Sequence, residues 1–305
     1  MTEKPSPVSI TPQQLVSLRR DARHIQLAKG KIRARQTGAH MSKLRGRGME
    51  FDQVRAYQPG DDIRSIDWRV TARTTEVHTK LYQEEKERPV VLCVDYRRSM
   101  HFATRGAFKS VIASRIAALL AWSANLNGDR IGGLLFAENE HVILKAQRGK
   151  HAVLDLFHRM SDLHQNSAQQ ERNHESLSNS LRQLRRTARP GSLVFIASDF
   201  HGLDNNAEKH IIELARHCEV TLISVHDPIE AKLPNAGLYR FKDGNNDVQI
   251  DTSRKQHRKQ HQQRFAQHQQ SLQDLARKHR MHFVDCSTAA DPIEQLREQL
   301  EVGAV

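Results

Sequence analysis

The sequence predicts an α/β fold, a mostly parallel central sheet with helices on both faces, and three patterns carry that prediction. The first is a set of continuous apolar runs of strand length at residues 90–94, 192–198 and 220–225. Such runs suit parallel strands buried on both faces. The second is apolar residues at helical spacing. Phe108, Ile112, Ile116, Leu119 and Leu120 recur within 106–126; Val153, Leu154, Phe157 and Met160 follow; then Leu177, Leu181 and Leu184; then a helix over 207–217. The third is their alternation from Pro89 onward, which implies a sheet with crossover helices.

The remaining elements fit around that frame. Residues 130–136 and 141–144, joined by Ala-Glu-Asn-Glu, read as a β-hairpin. Residues 226–253 contain two prolines and the turn Asp243-Gly244-Asn245-Asn246, which predicts an inserted loop or hairpin. A long Gln/His/Lys/Arg-rich helix is expected over 253–279, then a short strand at 282–284 and a terminal helix from Pro292.

Upstream of Pro89 the character changes. Residues 1–45 are expected to form a basic N-terminal helical arm, started by Thr11-Pro12 and carrying Leu15, Leu18, Ile25 and Leu27. Residues 46–88 read as a segment of short strands around a Pro59-Gly60 turn, and residues 89–303 as the α/β domain. The formal net charge of +12 is concentrated in the arm. Ten cations (Arg19, Arg20, Arg23, Lys29, Lys31, Arg33, Arg35, Lys43, Arg45 and Arg47) face one acid there, Asp21. Such a run is either an electrostatic footprint for a polyanion or a solvated basic surface. No aromatic residue interleaves it, which disfavours base stacking and leaves nucleic-acid binding weak and non-specific.

Composition narrows the class further. No run reaches the ~18 apolar residues of a membrane-spanning helix, and the N-terminus lacks the apolar core of a secretory signal. The expected location is therefore the cytoplasm. Cys93, Cys218 and Cys286 form no CxxC pair and read as structural thiols.

Two carboxylates mark the place where chemistry is expected. Asp95 ends VVLCVD and Asp199 ends SLVFIASD, so both stand at the carboxyl ends of predicted strands. In open α/β sheets ligands gather there, near the switch point of the strand order. A strand-end Asp also caps turns and helices, and it is the pair that points to a shared site.

The stretch from Gly46 to Met100 resembles the family called domain of unknown function 58. The matching residues are Gly46, Gly48, Glu50 and Phe51; Arg55, Tyr57, Pro59, Gly60, Asp61, Asp62, Arg64, Ile66, Asp67 and Trp68; and Ala72 and Arg73. Similarity continues more loosely through the helix at 106–126, the run at 128–136 and the Ser-Asp-Phe at 198–200. The resemblance implies a von Willebrand factor A-like domain, a frequent association with AAA+ ATPases of the MoxR type, and no established biochemical role. It also implies a metal-ion-dependent adhesion site of pattern Asp-x-Ser-x-Ser plus a Thr and a distal Asp. Asp95, Ser99 and Asp199 match that pattern. Arg97 replaces the first Ser, and Glu175 stands at the Thr position, with Ser176 beside it. A guanidinium repels a cation and pairs carboxylates in fork geometry, so the expected state is an Arg97-centred ion-pair cluster with no bound metal, the alternative being Mg²⁺ on a degenerate site.

Other candidates are weaker. Asp61, Asp62 and Asp67, with Glu50 and Asp52, are interleaved with Arg55, Arg64, Arg69 and Arg73 and read as a salt-bridge network, with Trp68 and Tyr57 as packing anchors. His257 and His261 have the i, i+4 spacing of zinc ligands but no third partner. No GxxxxGK[ST], GxSxG or HExxH motif is present. The expectation is a non-enzymatic protein-binding adaptor with no cofactor, its partner a MoxR-type ATPase or that ATPase's client. The alternatives are a metal-dependent hydrolase using Asp95, Asp199 and Glu175, and a nucleic-acid-binding protein using residues 19–47.

Overall fold

The computed structural model describes residues 6–25, 27, 49–58, 63, 66–74, 76–84, 88–167, 177–243 and 246–302. The chain divides into two compact units, residues 1–31 with 88–305, and residues 32–87.

The larger unit is built on a six-stranded sheet of order β10-β7-β6-β3-β4-β5. Its strands are β3 (Pro89–Asp95), β4 (Arg130–Phe136), β5 (His141–Gln147), β6 (Leu193–Ser198), β7 (Glu219–His226) and β10 (His282–Ser287). All neighbours pair in parallel except β4 and β5, which form the expected antiparallel hairpin. The strand order reverses between β3 and β6, and there the carboxyl ends carry Asp95 and Asp199.

Strand alternation splits the core in two. Val90, Leu92 and Val94 of β3 pack on one face with α1 (Pro12–Ser17), α3 (Lys109–Leu126), α4 (Lys150–Ser167) and α9 (Pro292–Val302). Val91 and Cys93 pack on the other with α5 (Leu177–Thr187), α6 (Asn205–Ala215) and α8 (Lys255–Lys278). Helix α3 is buried nearly all round, which explains why its apolar residues outnumber a single stripe. Between β7 and α8 lie α7 (Pro228–Ala231) and the hairpin β8 (Leu238–Asp243) with β9 (Asn246–Asp251), the insertion expected at 226–253.

The N-terminal segment differs from its reading as a separate arm. Ile10, Leu15, Ala22, Ile25 and Leu27 are buried in the main core. The segment also satisfies polar groups of the helices beneath it. Trp122 Nε1 donates to Leu15 O (3.1 Å), Ser123 Oγ to Ile25 O (2.7 Å) and Ser161 Oγ to Ile10 O (3.1 Å). Arg19 stacks over the Trp122 ring at 5.3 Å. The physical reason is that α3 and α4 leave an apolar groove with buried donors, and only an apolar stretch with free carbonyls closes it. Of the ten cations, those from Lys29 to Arg47 lie outside the described residues.

The smaller unit holds β1 (Met49–Ala56) paired antiparallel with β2 (His78–Glu84), with a register shift between Phe51 and Gln53. Glu50, Phe51 and Arg55 are on β1, and Tyr57 N–H donates to Val77 O at 2.8 Å just beyond it. Asp67 caps the short helix α2 (Trp68–Thr71), its Oδ1 accepting from Arg69 N (3.0 Å) and Val70 N (3.3 Å). The cap places Trp68 at the first helical position, where it is 67% exposed. Arg73 is exposed as well. Gly46, Gly48, Pro59, Gly60, Asp61, Asp62 and Arg64 lie outside the described residues, and with them much of the expected salt-bridge network.

Candidate functional site

The end of β3 and the loop after β6 bring Asp95 and Asp199 to the switch point, and two buried cations join them. Arg97 grips Asp95 three ways with its side chain: Nε reaches Oδ1 and Oδ2 at 3.1 Å each, and Nη2 reaches Oδ2 at 2.7 Å. Its own backbone N–H also donates to Asp95 Oδ1 at 2.9 Å. Nη1 donates to His201 O (3.1 Å), and Nη2 lies 3.8 Å from Asp199 Oδ1. The guanidinium packs over the Phe136 ring at 5.7 Å. Ser198 Oγ completes the shell of Asp95 by donating to Oδ2 at 2.6 Å.

Lys109 is the second cation. Its Nζ donates to Asp199 Oδ2 (3.0 Å) and Glu230 Oε1 (2.6 Å), and the residue is 1% exposed. It opens α3, where the helix dipole disfavours a positive charge. Burial adds a second cost, so the two acids must offset both. Burial alone would lower the Lys109 pKa, but Asp199 and Glu230 raise it. Burial likewise would raise the Asp199 pKa, yet Lys109 and then Arg97 hold it far below the carboxylate range. Arg97 is kept charged against burial chiefly by Asp95. The five groups carry three negative and two positive charges within one connected network.

The surrounding loops are fixed with equal care. Phe200, fully buried, adopts a left-handed backbone (φ 52°), unusual for a bulky residue. Its N–H donates to Ser198 Oγ (2.9 Å), and His201 N–H donates to Asp199 Oδ1 (2.9 Å). Asp227, just past β7, accepts from Thr104 N–H (2.7 Å), the Thr104 hydroxyl and the Thr288 hydroxyl (2.8 Å). Against the effect of burial, those bonds lower its pKa. Gly106 lets this loop close on β10: its φ is +74°, and a Cβ there would stand 1.9 Å from Thr288 O.

A metal ion does not fit these residues. Both Asp95 oxygens already accept from Arg97, Oδ2 also from Ser198; Asp199 accepts from Lys109 on Oδ2 and from His201 N–H on Oδ1; and a guanidinium stands where the family pattern has a hydroxyl. Among the described residues, no group of three or more His, Cys, Asp or Glu is placed to hold a metal. Ser99 sits half-buried on the 3-10 turn Arg98–Met100. Glu175 and Ser176 lie outside the described residues. His257 and His261 stand one turn apart on α8.

The family described as "Protein of unknown function DUF58" matches residues 53–271. The chain belongs to that family. The DUF58 resemblance carried by Arg55 to Arg73 is thus membership, and its implied von Willebrand factor A-like α/β class agrees with the six-stranded sheet. Among relatives, the uncharacterized proteins Mb1516 of Mycobacterium bovis and Rv1480 of Mycobacterium tuberculosis are each 30% identical over 256 residues, 81% of this chain and 80% of theirs. Similar solved structures include the conserved hypothetical protein BatB from Bacteroides thetaiotaomicron (14% identity, TM-score 0.48, 71% of this chain and 98% of that one). Another is a von Willebrand factor type A protein from Catenulispora acidiphila (9% identity, TM-score 0.40, 75% of this chain and 44% of that one).

Sequence reasoning about this DUF58 chain missed Lys109, Ser198, Glu230 and Asp227. Two signals for them exist. Lys109 is one of two charges, with Arg115, in a mostly apolar helix, and Asp227-Pro-Ile-Glu230 is a capping box with proline at the first helical position.

Beside the ion cluster lies an imidazole pair, His164 buried and His101 half-buried. His164 Nε2 is 3.1 Å from Ser110 Oγ, His101 Nε2 is 2.9 Å from Ser167 Oγ, and the two rings are 4.9 Å apart. Burial, and then the neighbouring His101, lowers the His164 pKa to about 4. An unfolded histidine titrates near ~6.5. Between those values the unfolded chain binds a proton that the folded chain does not, so stability falls as pH drops through that window. The full loss from His164 is on the order of 3 kcal/mol at 1.36 kcal/mol per unit. Chemical denaturation at a series of pH values should show this acid slope, and His164→Gln should flatten it.

Proposed function

We infer that this DUF58 chain is a non-catalytic protein-binding adaptor of the cytoplasm that docks a partner at the carboxyl edge of its sheet. The partner that the family resemblance implies is a MoxR-type AAA+ ATPase or that ATPase's client, in assembly or maturation of other proteins. One observation carries the reading. Both carboxylates at the switch point are already neutralised by side chains of the same chain, Asp95 by Arg97 and Asp199 by Lys109. An acid or base needs a group free to exchange a proton with substrate, and both carboxylates are instead engaged by buried cations. Rigid, internally paired loops instead make a preorganised surface, the property that favours recognition. The hydrolase alternative loses two of its three residues to these ion pairs. The nucleic-acid alternative rests on the basic run of residues 19–47, whose described part is anchored to the core by Ala22, Ile25 and Leu27 and carries no aromatic ring for base stacking.

The test is calorimetry of the purified chain with a MoxR-type ATPase from the same cell, at about 0.15 M salt and with excess chelator. Association is expected to persist without added metal. Chelator-sensitive hydrolysis by the chain alone, or association that chelator abolishes, would overturn the adaptor reading.

A further inference from the structure

We propose that the free edge of β5 is a self-association surface, on which a second copy of this chain lays its own β5 antiparallel and joins the two sheets into one. The inference starts from a difference between the two edges of the sheet, β10 and β5. At the β10 edge, α9 supplies side chains that stand in for a neighbouring strand. Gln299 Oε1 accepts from Asp285 N–H (2.7 Å), and its Nε2 donates to Asp285 O (2.8 Å). Gln295 does the same for Ser287, accepting from N–H (2.7 Å) and donating to O (3.2 Å). Covering an edge in this way blunts it against pairing with another chain. Among the described residues, β5 pairs with β4 alone, and no side chain caps its outer edge at His141 or Ile143.

Two hydrogen bonds fix which backbone groups that edge presents. Tyr96 N–H donates to Phe136 O (2.7 Å), so Phe136 turns its carbonyl toward β3, and Ala137 N–H donates to Glu140 O (2.8 Å) across the hairpin. Bonded and non-bonded pairs alternate along an antiparallel ladder. Val142, opposite Leu135, and Leu144, opposite Gly133, therefore face β4. His141 and Ile143 point their N–H and C=O groups away from the sheet. The register shift of this pair falls beyond Leu144 and leaves the stretch 141–144 regular.

The side chains select a second copy as the occupant, because the pattern is its own complement. Val142 and Leu144 are half-buried and extend the α3–α4 side of the core, while Ile143, on the other face, is 44% exposed. With a two-fold axis through Ile143, Val142 of one copy faces Leu144 of the other, Ile143 faces Ile143, and Leu144 faces Val142. Every apolar residue then meets an apolar one, the kind of cross-strand pair that stabilises a sheet. An axis one residue earlier sets Leu144 against Glu140, and one residue later sets Ile143 against Lys145. In the proposed register Lys145 faces His141 of the second copy rather than another lysine. An isologous contact of this kind closes as a dimer. Antiparallel pairing reverses the strands of the second copy, so the two carboxyl edges point in opposite directions and both stay free. The dimer therefore stands or falls independently of the adaptor reading.

Sedimentation velocity of the full chain from about 1 to about 100 µM reads the association. The wild type is expected to pass from monomer to dimer within that range. Ile143→Pro removes the outward N–H, a change that an edge strand tolerates where that N–H faces solvent, and Ile143→Lys places like charges on the two-fold axis. Each should weaken dimerisation about 10-fold or more, with the monomer still folded by circular dichroism. Cross-linking tests the register. Ile143→Cys should give a disulfide-linked dimer under mild oxidation, because opposed Cα atoms of a hydrogen-bonded pair stand ~5.5 Å apart, within disulfide reach. Lys145→Cys should stay at the wild-type background, since its two copies lie four residues out of register, roughly 14 Å along the strand. A wild type that is monomeric throughout the range, a dimer indifferent to both Ile143 variants, or equal cross-linking at 143 and 145 would overturn the proposal. So would unfolding of the monomer in both Ile143 variants, which would show the edge to be covered already by the chain's own residues.

Discussion

Replacing Arg97 with alanine is expected to lower unfolding stability by about 3–5 kcal/mol, the usual cost of removing one partner of a buried ion pair. The loss follows from what remains. Asp95, fully buried, would keep Ser198 as a donor but lose the three side-chain bonds from Arg97. An uncompensated carboxylate in that position is costlier than no carboxylate at all. Two further variants separate this mechanism from simple loss of packing. Arg97→Lys should recover little, because one ammonium cannot reproduce the fork that spans both carboxylate oxygens. Asp95→Asn combined with Arg97→Met should recover much of the stability, since it removes both charges together. Urea titration reads all three, and a neutral Arg97→Ala would show that the pair does not hold the loop.

The second large effect lies at the N-terminus. Deleting residues 1–27 should prevent the larger unit from folding stably, because it removes Ile10, Leu15, Ala22, Ile25 and Leu27 from the core and uncovers their partners on α3 and α4. It also strips acceptors from the buried Trp122, Ser123 and Ser161 donors, each of which carries a desolvation penalty of about 1–3 kcal/mol when orphaned. A milder version keeps the result measurable. Leu15→Ala should cost about 2–5 kcal/mol as a buried large-to-small change, read from the denaturation midpoint. A truncated chain with a native melting transition would contradict the packing described above.

Those two results bear on how much of this molecule was legible in its sequence. The sheet was, because parallel strands buried on both faces write themselves as unbroken apolar runs such as residues 90–94 and 193–197. The switch-point acids were legible for the same reason: Asp95 and Asp199 are each the first charge after such a run. Arg97 announced itself by standing where the family pattern has serine. Lys109 did not, since its meaning depends on two acids 90 and 121 residues away in sequence, and no local period encodes that distance. The N-terminal segment was misread as an arm because its cations dominate the composition while its few apolar residues fall in an interrupted pattern, a six-residue helix followed by a 3-10 turn. Glu175 and the Pro59–Arg64 turn lie beyond the described residues and add nothing to either side.

The central claim is that Asp95 and Asp199 at this edge of the sheet are paired by Arg97 and Lys109, which take the place of a divalent cation. The most direct measurement is the melting temperature of the full chain in chelator and in millimolar Mg²⁺ or Mn²⁺. A ligand present at a hundredfold excess over its dissociation constant stabilises a fold by about 2.7 kcal/mol, a shift of several degrees for a domain of this class. The account predicts superimposable transitions in chelator and in either metal. A metal-dependent rise in the wild-type melting temperature, abolished by Asp95→Asn or Asp199→Asn, would contradict it.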